Sequence, residues 1–120
     1  MSMDTKTAVK SYQFSERAKS ELILVSQLLM VLAELKGEQQ AGGKRIVLAL
    51  MEGVRAEIEF ARRSTEQPEF QKAIGHLSEA ISLVESSQPG PAGLRISEAI
   101  SAVTTPAQNA WQVLTGHGLL

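Results

Sequence analysis

"HLSEAISLVESSQPGPAGLRISEAISAVTT", residues 76–105, holds the five letters SEAIS twice, on either side of a break rich in proline and glycine. Before the break, Phe70, Ala73, Ile74, Leu77, Ala80, Ile81 and Val84 recur at helical spacing, with Lys72, Glu79 and Ser86 opposite them. After it, Ile96, Ala99, Ile100, Val103, Ala107, Ala110 and Leu114 do the same. At about 100° per residue each set is one apolar stripe, so both halves read as amphipathic helices. The break, SSQPGPAG over 86–93, is short enough to fold the second helix back along the first. With the turn centred on Gly90 and Pro91, Ile81 and Ile100 stand at one level. The doubled motif is then one packing recipe used twice, not a functional repeat. Glu79 and Glu98 fall on the outward side, and Arg95 is within reach of Glu98 three residues on.

The same punctuation recurs at GEQQAGG (37–43) and STEQP (64–68), dividing the chain into four helical segments joined by short connections. No segment has the period-two alternation of a half-buried strand. The expected fold is therefore all-α, an up-and-down antiparallel four-helix bundle. The chain of 120 residues, 43% hydrophobic, suits a single domain over 1–120. Residues 1–12 and 116–120 are expected to be flexible tails. Thr105-Pro106-Ala107-Gln108 reads as a capping box with proline in the first turn, so the last helix should be kinked or broken at Pro106. Pro68 suits the first turn of the third helix, where a missing N–H is no loss. The second helix, from about Lys44 to Arg63, has an apolar arc of Ile46, Leu50, Val54, Ile58 and Ala61 and a narrow flank of Ala49, Gly53 and Ala56. Gly53 and Gly75 within helices either find compensation in close approach of the second and third helices or are simply tolerated.

The first long helix is greasier than one contact surface requires. Phe14, Ala18, Leu22, Val25, Leu29 and Leu32 make the expected stripe. Leu24, Leu28, Val31 and Leu35 make a second one displaced by roughly 80°, and Ile23 and Met30 a third patch. Leaving the second stripe in water would forgo about 1.5–3 kcal/mol per side chain, a sum comparable with the whole stability of a small domain. The cover is the protein's own helices, a second copy in a homodimer, or a different helical client chain. A non-enzymatic binding role, chaperone-like or as an adaptor, is the class these residues favour.

Other classes find little support. Twelve basic against thirteen acidic residues give a net charge of −1, no field for nucleic acid or an anionic membrane. The longest apolar run, Leu22–Leu35, is interrupted by Ser26, Gln27 and Glu34 and falls short of the ~20 residues a bilayer needs. The amino-terminal MSMDTKTAVK lacks the apolar centre of a secretory signal, so the cytoplasm is the expected location. There is no cysteine, which removes disulfides, thiolate metal sites and thiol nucleophiles. Neither His76 nor His117 has a glutamate three residues before it, as a di-iron bundle would require, and no phosphate loop, His-Glu-x-x-His or nucleophile elbow occurs. No cofactor, metal or catalytic residue is expected. His117 lies in TGHGLL, an expected frayed tail. The alternative function is histidine phosphotransfer at His76, the one histidine on a regular helix; Glu79, three residues on, puts a carboxylate where a cation would serve a phosphoryl group better. Trp111 is expected to close one end of the core, with an interface role as the alternative.

SYQ at Ser11–Gln13, SELILVSQLL at Ser20–Leu29 and NAWQVL at Asn109–Leu114 follow one another in an order that resembles the flagellin export chaperones. The likeness spans most of the chain, although Ser26 and Gln27 stand where that family has residues of Asp-Gly type. It implies a small helical bundle that binds a segment of a secreted client through apolar helix surfaces, with Tyr12 as a contact residue.

Overall fold

The computed structural model describes residues 3–119. Among them lie four helices and no strand: α1 (Thr5–Glu34), α2 (Gly37–Thr65), α3 (Pro68–Glu85) and α4 (Pro89–Gly116). They pack in a ring, α1 on α2, α2 on α3, α3 on α4 and α4 back on α1, within a body of 54 × 22 × 18 Å. This is the expected all-α four-helix bundle. No described helix is long and apolar enough to cross a membrane.

In α1 and α2 the inward residues follow a strict three-four alternation. In α1 they are Ala8, Ser11, Ser15, Ala18, Leu22, Val25, Leu29 and Leu32; in α2, Val47, Met51, Val54, Ile58, Ala61 and Thr65. A 3.5-residue repeat keeps one seam facing inward along helices that cross at about 20°, so it suits long antiparallel neighbours. It also explains a departure from the sequence reading. Ile46, expected inside, is 71% exposed and Leu50 only half-buried, because the inward stripe of α2 runs through Val47 and Met51. Counting back in fours from Val54 drifts off the 3.5-residue seam within two turns.

Helix boundaries depart from expectation in three places. The expected tail over 1–12 is helical from Thr5, with Asp4 as its N-cap, and Ala8 and Ser11 are fully buried. The GEQQAGG stretch, expected to be a loop, forms the start of α2. Only Leu35 and Lys36 are left as connection, Gly37 takes the positive φ of 58° that the turn demands, and Gln40 Nε2 donates to the Leu35 carbonyl at 2.9 Å. Similarly, α4 starts at Pro89, inside the expected 86–93 turn. Prolines at 89 and 91 fall in its first turn, where helices have no use for an N–H.

That earlier start resets the α3–α4 register. His76 lies against Glu98 and Glu79 against Arg95, pairs symmetric about Ser87 rather than about Gly90 and Pro91. Ile81 and Ile100 are therefore not at one level; the shift is one heptad, which preserves both apolar stripes. The pairing of Arg95 with Glu98, at 3.0 Å, is present as expected.

Of the kink or break expected at Pro106, the break is not found. α4 runs through Pro106, whose ring is fully buried, and Thr105 is an exposed helical residue rather than a cap. Val103, Ala107 and Ala110 stay buried on both sides of it. Packing of an unbroken stripe outweighs the single backbone hydrogen bond that proline forfeits.

Candidate functional site

The 3.5-residue seam takes only two positions in seven from α1, so its remaining leucines are left outside. Leu24 is 55% exposed, Val31 52% and Met30 69%; Leu28 and Ile23 are exposed as well. Leu35 is half-buried. The protein's own helices thus do not cover the surplus apolar residues of α1, the first of the three covers considered.

Three contacts fix how α1 and α2 lie together. Phe14 and Phe60 meet edge to face at 5.8 Å between ring centroids, Arg17 Nη2 reaches Glu57 Oε1 at 2.7 Å, and Gly43 lies against Leu32 and Leu35. Stepping from these in threes and fours gives facing rows, 14-17-21-24-28-31-35 on α1 and 60-57-53-50-46-43 on α2. Leu24, Leu28 and Val31 therefore share an outer face with Ile46 and Leu50. Ile23 and Met30 fall on the other edge of α1, toward α4. The second stripe and the third patch expected on α1 thus lie on two edges, and Ile46, the most exposed large apolar side chain of the group, belongs to the first of these and not to the core. The signal that finds it is the heptad phase of Val47, Met51, Val54, Ile58 and Ala61.

Below the apolar rows the seam becomes charged. Glu21 on α1 and Glu57 on α2 face one another with Arg17 beside them, its Nε 3.9 Å from Glu21 Oε1. Burial first, then the hydrogen bond and negative charge of Glu57, push the Glu21 carboxyl up to about 7, against a smaller opposing pull from Arg17. Below this charged band Phe60 is exposed again.

A second surface lies between α1 and α4. Tyr12 and Trp111 sit 6.3 Å apart, and Glu16, Lys19, Gln108 and Gln112 complete an open groove around them. Trp111, expected to close the core, is half exposed instead, and Ala8, Ala110 and Leu114 form that end. The indole lies outside this cluster, against Tyr12. No protein-family model, curated protein or solved structure matches this chain.

His76, the alternative phosphoacceptor, is half-buried with Nδ1 3.1 Å from Glu98 Oε2, off the ring N–H direction. Arg95, which lies beside Glu98, already pairs with both Glu98 and Glu79. A phosphoryl group on this ring would meet two carboxylates and a neutralised guanidinium, a poor setting for a dianion. His117 caps the C-terminal end of α4 in the open. Among the described residues no three histidines, aspartates or glutamates gather as a metal site would need.

Proposed function

We propose that this chain is a non-enzymatic interaction protein that self-associates through the outer face of α1 and α2. The observation that carries the reading is the run of exposed Leu24, Leu28, Val31 and Ile46, which the chain's own fold leaves in water. A second copy suits the face on two counts. Arg17, Glu21 and Glu57 lie along it with charges of both signs, which selects no partner of one sign and lets two copies meet without net repulsion. From Phe14 to Leu35, with the facing part of α2, it measures roughly 33 Å by 20 Å at 1.5 Å rise per residue and about 10 Å per helix. That is on the scale of the ~800 Å² per partner of a standard interface. An isologous dimer would bring the leucine rows of two copies together about a two-fold axis.

Sedimentation or light scattering across a concentration series tests it. The expected result is a dimer that Leu24→Glu or Val31→Glu converts to a folded monomer, while Leu94→Glu, an exposed leucine on α4, leaves it intact. A strictly monomeric wild type up to millimolar concentration would overturn self-association, and a helical client of the kind the chaperone resemblance implies would then be the occupant to seek.

A further inference from the structure

We infer that Glu21 and Glu57 hold one proton between them, which makes the seam between α1 and α2 a pH-sensitive clasp. Glu21 Oε1 and Glu57 Oε2 are both buried, and among the described residues no N–H or O–H donates to either. Two buried carboxylate oxygens beside one small hollow with no donor are both acceptors, and the simplest way to satisfy them is a proton on one. Arg17 decides which. Its Nη2 is 2.7 Å from the other oxygen of Glu57, whereas its Nε stays 3.9 Å from Glu21, so Glu57 is the better-supported anion and Glu21 the acid. The hollow beside the pair, lined by Phe14, Ala18, Ile58 and Ala61 as well, has a volume of about 10 Å³, at the lower limit for one water. Among the described residues no further charged group faces Glu21: Arg17 on its own helix and Glu57 on α2 are the ones that act on it, and α3 and α4 contribute none. The upward displacement of Glu21 to about 7 agrees with this geometry. Losing the proton leaves two carboxylates in contact with one guanidinium, and the α1–α2 seam is pushed apart where the apolar face begins. The clasp belongs to the single chain and does not depend on self-association.

Glutamate-selective carbon-13 NMR of the full chain across pH tests it. One carboxyl is expected to titrate near pH 7; the Glu21→Gln variant lacks that signal, and in Glu57→Gln it returns to the ordinary range. The thermal midpoint gives the second readout. A group whose pKa is raised on folding stabilises fully below its ordinary value of 4.5 and loses that contribution as pH climbs through about 7. The wild-type midpoint should therefore fall across that window relative to Glu21→Gln, a comparison in which the histidines cancel. If every wild-type glutamate titrates in the ordinary range, as it would with a water bridging two ionised groups, or if the two midpoint curves run parallel, the clasp is overturned.

Discussion

A Cβ placed on Gly43 would fall 3.1 Å from Leu35 Cδ1 and 3.3 Å from Leu32 Cδ1, so the start of α2 presses on the end of α1 where only a hydrogen fits comfortably. Gly53, further along α2, has nothing within 4 Å of the same position. Both glycines give up helix propensity worth up to ~1 kcal/mol against alanine. Gly53→Ala should recover about that amount. Gly43→Ala should recover clearly less, because Leu32 and Leu35 must yield a few tenths of an ångström. Urea denaturation of the two variants measures the difference, and equal gains would mean that the leucine ends move freely.

Ser11 and Ser15 occupy core positions of α1 with hydroxyls that have no hydrogen-bond partner. A buried unpaired hydroxyl is destabilising, and serine is a weaker helix former than alanine. Ser11→Ala and Ser15→Ala should each raise stability by roughly 0.5–1.5 kcal/mol. Ser11→Leu should do the opposite, since α1 and α4 meet there through Ala8 and Ala110. Loss of stability in both alanine variants would show that each hydroxyl finds a partner in solution.

These serines mark a limit of reading the sequence. Helix number, order and antiparallel packing follow from apolar spacing and short breaks, because burying an apolar stripe is the strongest driving force open to such a chain. Polar residues in the seam carry no such signature, so the amino-terminal part of the α1 stripe, through Ser11 and Ser15, was invisible. Glycine and proline misled in the opposite sense: GEQQAGG, Pro89 and Pro106 read as interruptions, yet neighbouring packing and the tolerance of first turns absorb them. The surplus leucines of α1 were legible as a surface needing cover. Their division into two patches was legible as well, from the wheel of α1; their continuation onto Ile46 was not, because that depends on the register of two helices rather than on the wheel of one.

The heptad assignment makes neighbours in sequence behave as opposites. Leu29 is buried and Leu28 exposed. Leu29→Ala should cost about 2–5 kcal/mol of folding stability, as for other buried leucines. Leu28→Ala should change the unfolding of dilute protein by no more than ~0.5 kcal/mol and lower self-association instead. Comparable losses from both would mean that α1 sits in another phase.

At the amino-terminal end, the Asp4 carboxylate accepts the Thr7 N–H at 2.7 Å, and that backbone hydrogen bond is the main cause holding its pKa below the usual 3.8. Because the folded value is depressed, the cap stabilises α1 above the ordinary carboxylate range and is lost as pH falls through the lowered value. Amide exchange at Thr7 and Ala8 should quicken in Asp4→Ala at neutral pH. Asp4→Asn should keep their protection and lose its dependence on acid pH. An Asp4→Ala chain that exchanges like wild type would place the start of α1 beyond the cap.

Pro106 poses a balance that can be struck in advance. Proline inside a helix costs ~3 kcal/mol relative to alanine through the missing N–H and the clash with the preceding turn. Here the ring is fully buried, and replacing it with a methyl removes about two methylenes of apolar contact, at ~0.8 kcal/mol each. Proline also restricts the unfolded chain, by roughly 0.4–1 kcal/mol. Pro106→Ala should thus stabilise by about 0.5–1 kcal/mol and restore the hydrogen bond from residue 106 to the Ala102 carbonyl. Denaturant unfolding gives the sign, and amide exchange at residue 106 shows the new bond directly. A destabilised variant would mean that the ring's fit within the bundle outweighs the helix it disturbs, and Pro106 would then be a packing residue of the core.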